Sequence, residues 1–140
     1  MTNKAAQICN CFAIRQAARF ITQIYDRHVG QSGVTGSQYT ILAVLHYAPG
    51  MSMAELAEEL MMDRTSLVRA LKPLIRDGYV VSDSSGSAIK KASVRLSDAG
   101  EAKMAEAETY WNAAQNEWEK KVGAKRAKAL RDELIQVTHL

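Results

Sequence analysis

A group of polar side chains at one end of a basic, helix-like segment has the hydrogen-bond donors needed to read DNA. The group comprises Arg64, Thr65, Ser66 and Arg69. A guanidinium can donate two hydrogen bonds to O6 and N7 of one guanine, and hydroxyl groups can serve bases or phosphates. Lys72, further along the segment, is expected to contact a phosphate. A solvated helix face is the alternative interpretation, because amphipathic helices commonly carry polar residues on one side.

Capping signals place this segment on the second of two consecutive helices. Ser52 can cap a helix that begins at residue 53, and Glu55 completes a capping box. Asp63 is a good N-cap for the stretch 64–77, which Gly78 ends. A helix, a tight turn and a second, basic helix predict a helix-turn-helix whose second helix points its N-terminal end and its positive dipole into the major groove.

A β-hairpin is predicted after the basic helix. Residues 79–81 begin a strand, the polar stretch 82–87 forms a loop, and 92–96 form the return strand. This order of elements is that of a winged helix-turn-helix lobe, which we place at 35–96. The predicted fold class is mainly α with a small β-hairpin wing (α+β).

Long helices are predicted at both ends of the chain. Residues 3–30 form one, and Thr35 with Gln38 caps a shorter, buried helix. Within 97–140, Ser97 caps a long helix that Gly123 breaks, and a last helix follows. The apolar faces of the terminal helices exceed what the lobe needs for its own burial. The simplest partner for these faces is the same faces of a second copy, which gives a homodimer, since two-fold dimers are the commonest soluble assemblies. Such a dimer would hold two recognition helices roughly 34 to 36 Å apart, matching a palindromic operator in double-stranded DNA.

Length and charge agree with a single DNA-binding domain over 1–140. The apolar fraction of 47% suffices for one core. Residues 51–62 hold three Glu and no Lys or Arg, whereas 63–96 hold seven Lys or Arg against three Asp, so the basic charge lies where phosphates would lie. The chain has no apolar run of membrane-spanning length and no secretory signal, so we expect a cytoplasmic protein without a membrane partner.

The sequence predicts neither an enzyme nor a cofactor-binding protein. It contains no recognisable set of nucleophile, base and orienting group and no phosphate-binding loop. His28, His46 and His139 lack ligand-like spacing, and Cys9 and Cys11 alone are a poor zinc signal, so no metal is expected.

Five stretches of the chain, in their order and spacing, resemble the MarR family of bacterial transcription regulators (multiple antibiotic resistance regulators). They are CFAIRQAAR at 11–19, SQY at 37–39, MAELA at 53–57, RTSLVRALKPL at 64–74 and VRLSDAG at 94–100. The resemblance implies an obligate dimer with interlocked terminal helices, a winged helix on each lobe, and a repressor released by a small molecule or an oxidant.

The predicted wing departs from the family pattern. Members commonly place an Asp and one or more Arg in this loop, with the Arg entering the minor groove, whereas 83–89 contains Asp83 and no Arg. We expect weaker minor-groove contact through Lys90 and Lys91, because arginine fits a narrow groove better. Arg95 is as well placed to pair with a nearby Asp as to contact a phosphate. The Arg-free wing also leaves open a winged helix that docks protein instead of DNA.

Cys11 resembles the sensing thiol of the family's peroxide-responsive branch, in which tyrosines from both subunits hold the thiolate. Of the three tyrosine positions in that pattern only Tyr25 matches, and the others fall on Arg15 and Gly36. A cation four residues along the helix can lower a thiol pKa, so sensing stays open. The alternative is that Cys9 and Cys11 are small apolar residues packed in a dimer interface.

A small aromatic or acyl effector is the other route to release, bound between the dimerisation helices and the winged helix where the family's pockets lie. Arg15 can meet a carboxylate, and Tyr25 or Tyr39 can stack on or hydrogen-bond to the ligand. Core packing or an ion pair explains each of these residues equally well.

Overall fold

The computed structural model describes residues 3–83 and 93–140, which fold into seven helices and a small antiparallel sheet. The helices are α1 (Lys4–Ile8), α2 (Asn10–Val29), α3 (Gly36–Tyr47), α4 (Met53–Glu59), α5 (Arg64–Arg76), α6 (Asp98–Val122) and α7 (Ala124–Val137). The strands are β1 (Met51–Ser52), β2 (Val80–Asp83) and β3 (Ser93–Leu96). The predicted fold class is confirmed. Within these stretches no helix is long and apolar enough to cross a membrane.

The predicted helix starts follow from local hydrogen bonds. Reciprocal capping boxes join Thr35 to Gln38 before α3 and Ser52 to Glu55 before α4. The hydroxyl of Ser97 accepts the backbone N–H of Gly100 and so caps α6. These side chains satisfy N–H groups that a helix cannot pair internally, which is why the starts were legible in the sequence.

The first terminal helix is broken, so the prediction of one helix over 3–30 is wrong at Cys9. Cys9 has an extended backbone (φ −111°, ψ 111°), and its Sγ accepts the N–H of Phe12 at 3.4 Å. A residue in this conformation with a side-chain acceptor is an N-cap, so a new helix, α2, begins at Asn10. At the other end α2 stops at Val29 and passes into a single 3-10 turn.

The sheet contains a strand that the sequence did not predict. β1 pairs with β3, which also pairs with β2, in the order β1-β3-β2. At two residues, β1 is too short to show alternation. β2 begins one residue later than predicted, because the N–H of Tyr79 bonds to the carbonyl of Leu74 and that of Gly78 to the carbonyl of Ile75. Those two bonds, with Gly78 at φ 78°, form a Schellman cap on α5.

A leucine-rich core fixes the orientation of α5. Leu67, Leu71 and Leu74 recur at helical spacing and are buried, as is Leu56 of α4. They pack in one cluster with the apolar side of α3, including Leu42. The opposite side of α5 is therefore held toward solvent by the burial of these side chains.

An ionic cluster joins α2 to α6. The guanidinium of Arg27 donates two hydrogen bonds to the carboxylate of Glu117, at 2.8 and 2.7 Å. The Nε2 of His28 lies 3.1 Å from the same carboxylate. Hydrogen bonds from Arg27 and then His28 lower the pKa of Glu117 from 4.5 to about 2. The carboxylate is therefore stabilised in its charged form in the folded protein.

This cluster should make stability fall in acid. Because the folded pKa of Glu117 lies below its ordinary value, its stabilising contribution is present above pH 4.5 and is lost as the pH falls toward about 2. Glu117→Gln should thus lower the urea midpoint at pH 7 and have a smaller effect at pH 3. Glu133→Gln, at an exposed acid on α7, is the control. A deficit in Glu117→Gln that is equal at both pH values would contradict the assignment.

Large apolar side chains remain exposed on the terminal helices. Ile14 and Phe20 of α2 are 58% and 52% exposed, and Leu134, Ile135 and Val137 of α7 are 53%, 52% and 54% exposed. Exposed apolar surface concentrated on particular elements is typical of a protein–protein interface.

Candidate nucleic-acid interface

The exposed face of α5 carries most of the side chains predicted to contact DNA. Arg64, Thr65, Arg69 and Lys72 are all exposed. At about 100° per residue, Thr65, Arg69 and Lys72 lie opposite the buried leucine stripe, whereas Arg64 lies at the start of the helix, nearer the edge of that stripe. Arg64 and Thr65 form the first turn, where the backbone N–H groups and the positive end of the helix dipole are available to an anion.

The three cations on this face have no competing partner. Arg64, Arg69 and Lys72 form no ion pair or side-chain hydrogen bond with any residue in 3–83 or 93–140. By contrast, Arg76 at the far end of α5 pairs with Asp77 at 3.1 Å. The unpaired charges therefore concentrate in the first two-thirds of the helix.

Ser66 is partly withdrawn from this interface. Its N–H donates to one carboxylate oxygen of Asp63 at 2.7 Å, and its hydroxyl donates to the other at 2.8 Å. The hydrogen bond from the Ser66 N–H is the largest cause that lowers the pKa of Asp63, and the bond from the Ser66 hydroxyl is the next. Ser66 can accept a hydrogen bond from DNA while this cap is intact, but its own proton is committed. Thr65 makes no side-chain hydrogen bond within the described stretches.

The wing is described only at its two strands. Lys90 and Lys91 lie outside the described residues, as does most of the predicted loop. Of the two roles predicted for Arg95, the ion pair is the one present, because its Nε lies 2.9 Å from Oδ2 of Asp83 on the neighbouring strand.

Val68 belongs to the same surface and was missed by the sequence analysis. It is 50% exposed, and it lies one turn after Arg64 and one turn before Lys72. An apolar side chain among base-reading residues can contact the methyl group of thymine. Its signal in the sequence is an apolar residue outside the leucine stripe of α5.

A cleft of about 280 Å³ lies between α2, α3 and α6 and contains two of the predicted effector residues. Tyr25, Tyr39 and Trp111 line it. Tyr39 stacks on Trp111 with ring centroids 6.1 Å apart and an angle of 28° between the planes. The hydroxyl of Tyr25 donates to the side-chain carbonyl of Gln115. Burial is the main cause that raises the pKa of both tyrosines, so both are neutral donors at pH 7.

A model of the MarR family matches residues 32–87, which include α3, the helix-turn-helix and β2. The chain is also 31% identical to the Mycobacterium tuberculosis transcriptional regulator MosR, with a TM-score of 0.79, covering 96% of this chain and 98% of MosR. The chain belongs to the MarR family. MosR has also been solved in complex with DNA, and that structure matches with a TM-score of 0.74.

Two curated relatives are likewise transcription regulators. A Thauera aromatica protein named as a regulator of the hcr operon is 37% identical over 73 residues, 52% of this chain and 40% of its own. The HTH-type regulator TtmR of Methylorubrum extorquens (strain PA1) is 30% identical over 90 residues, 64% of this chain and 46% of its own. The chain thus spans less than half the length of these relatives. The repressor CouR bound to a 23-mer DNA duplex shares the fold, with a TM-score of 0.85 at 22% identity over 98% of this chain and 97% of CouR.

In this MarR-family chain, Arg15 and Cys11 lie apart from the two tyrosines. They line a separate groove of about 640 Å³ on the N-terminal half of α2, together with Cys9 and Arg19. Both cysteines are exposed. The structure therefore brings Arg15 together with the thiols and not with Tyr25 of the same chain.

Proposed function

We propose that this MarR-family protein is a homodimeric, sequence-specific transcriptional repressor that binds a palindromic operator through α5 and is released by a small aromatic or acyl effector. The observation that carries the DNA-binding part is the set of unpaired cations, Arg64, Arg69 and Lys72, on the exposed face of α5. Such a face supplies both bidentate base contacts and phosphate neutralisation.

The proposed dimer rests on the exposed apolar surface of the terminal helices. A two-fold axis between copies would bury the exposed side chains of α2 and α7, such as Phe20 and Leu134, against the same elements of the partner. Burying this surface favours association by about 25 cal/mol for each Å² of apolar area. The arrangement would present two α5 helices to successive major grooves on one side of a duplex.

The proposed effector site is the cleft between α2, α3 and α6. Its stacked aromatic pair, Tyr39 and Trp111, offers ring faces to an aromatic ligand. The cleft lies where the terminal helices meet the lobe, so a ligand there can favour one angle between them over another. CouR, a structural neighbour, has been solved with p-coumaroyl-CoA bound, which supports an acyl thioester as one class to test.

Oxidation of Cys11 is the alternative release mechanism. The Cys11 thiolate would attack one oxygen of a peroxide, break the O–O bond and expel hydroxide or alkoxide, leaving a sulfenic acid. Its support is the exposure of Cys11 in a groove that also holds the cations Arg15 and Arg19.

One set of mobility shifts tests the proposal. The purified protein should run as a dimer in light scattering and should prefer DNA from upstream of its own gene over scrambled DNA, with an affinity that falls steeply with salt. Aromatic acids and acyl thioesters should then release both the wild-type protein and the Cys11→Ser variant from the DNA. Release by peroxide that Cys11→Ser abolishes would favour the thiol mechanism instead. A monomer, or a dimer without preference for any promoter fragment, would refute the repressor and favour a protein-docking winged helix.

A further inference from the structure

A second cavity, of about 520 Å³, shares Tyr39, Thr40 and Trp111 with the proposed effector cleft. The rest of its lining comes from α3, β1, the end of α4 and α6, and includes Tyr47, Met51 and Met104. Its volume is within the range of roughly 300 to 1,000 Å³ that small-molecule sites occupy. The lining is mostly aromatic and aliphatic, so an apolar ligand body can be accommodated.

The charged side chains that line this cavity are both acidic. Glu59 and Glu108 are exposed and form no ion pair or side-chain hydrogen bond within 3–83 and 93–140. No Lys, Arg or His is among the lining residues. The cavity therefore carries uncompensated negative charge. The groove on α2 has the opposite character, because Arg15 and Arg19 line it without an acid.

One lining side chain, that of Tyr39, has a hydroxyl group without a partner in the described residues. Tyr39 is only 6% exposed, yet its hydroxyl makes no hydrogen bond to any residue of the described chain. After burial, the charge of Glu108 is the next cause that raises the pKa of Tyr39, followed by Tyr47. Glu108 and Tyr47 both line the second cavity, as Tyr39 itself does.

We propose that this cavity binds an organic monocation with an aromatic or alkyl body, such as a quaternary ammonium compound. A cation over the face of an aromatic ring within about 6 Å of its centre is attracted by the ring quadrupole. Tyr39, Tyr47 and Trp111 supply three rings, and Glu59 and Glu108 neutralise the charge. Tyr47 is 79% exposed, which leaves its ring available to a ligand at the rim. This site is additional to the proposed effector cleft and does not depend on DNA binding.

Direct binding of small probes tests the site. Benzyltrimethylammonium is the cationic probe, and benzyl alcohol and benzoate are its neutral and anionic counterparts. The chain has two tryptophans, so Trp118→Phe leaves Trp111, which lines the cavity, as the single tryptophan. Isothermal titration and Trp111 fluorescence should both report saturable binding of the cation, one per protomer, with benzyl alcohol weaker and benzoate not bound.

Charge-neutralising variants localise the binding. Glu108→Gln combined with Glu59→Gln should weaken binding of the cation about tenfold, a loss of about 1.4 kcal/mol. The affinity for benzyl alcohol should be unchanged. Glu58→Gln is the matched control, since Glu58 is an exposed acid on α4 that does not line the cavity. The proposal is overturned if the cation does not saturate below ~10 mM, if benzoate binds as well, or if the double variant binds the cation like wild type.

Discussion

Replacing Gly100 with alanine should destabilise the folded protein by about 1 to 3 kcal/mol. A Cβ atom at Gly100 would lie 2.0 Å from the carbonyl oxygen of Tyr79 and 3.3 Å from the Cβ of Leu96. That oxygen cannot simply move aside, because it accepts the backbone N–H of Ser97 at 3.0 Å. Ser97 is the residue that caps α6. The substitution would therefore disturb the junction between the lobe and the long helix α6.

Gly30→Ala is the matched control for this prediction. A Cβ at Gly30 would meet nothing within 4 Å, and its backbone has an ordinary helical φ of −56°. Alanine there should be neutral or stabilising by up to about 1 kcal/mol. Urea unfolding of both variants, at one fixed protein concentration so that association is held constant, measures the difference. Equal midpoints for Gly100→Ala and wild type would show that the junction relaxes without cost.

Arg69→Ala should weaken binding to the matched operator by about 1 to 3 kcal/mol, or roughly five- to 150-fold. Arg69 lies one turn into α5, exposed and without an ion pair in the described chain, so its guanidinium is available to the two acceptors of a guanine. Removing a bidentate base contact should also relax the preference at one base pair. Binding to scrambled DNA should fall much less than binding to the operator.

Lys72→Ala is the comparison that separates a base contact from a phosphate contact. Lys72 is exposed further along the same face of α5. Its loss should weaken binding to matched and scrambled DNA alike, and should reduce the slope of log affinity against log salt by about 1. Mobility shifts with both variants on both DNAs, at several salt concentrations, distinguish the two roles. If Arg69→Ala lowered the affinity for both DNAs by the same factor, Arg69 would be assigned to a contact with the DNA backbone.

Local signals made most of the fold predictable, and contacts distant in sequence explain what was missed. The starts of α4 and α5 depend on side chains within three residues of each cap, as with Ser52 and Asp63. The strand β1 exists only because β3, some forty residues later, pairs with it. The break at Cys9 was missed because a thiol is an uncommon N-cap, and the surrounding sequence continues the helical pattern.

The candidate site was predictable to the same extent. Periodicity placed Arg69 on the face opposite the leucines of α5, and the capping signal at Asp63 placed Arg64 in the first turn. Periodicity could not show that Asp63 takes up the hydroxyl proton of Ser66. Nor could it show that Arg15 and Tyr25, on the same helix, line different cavities, since that depends on which elements pack against α2.

The stacked rings of Tyr39 and Trp111 border both the proposed effector cleft and the second cavity. A molecule that tilts or separates these rings from one side alters the shape available on the other. Thermodynamic linkage then requires that each occupant change the affinity of the other by the same factor. Two compounds that enter by different openings would thereby modulate one another through a single pair of aromatic side chains.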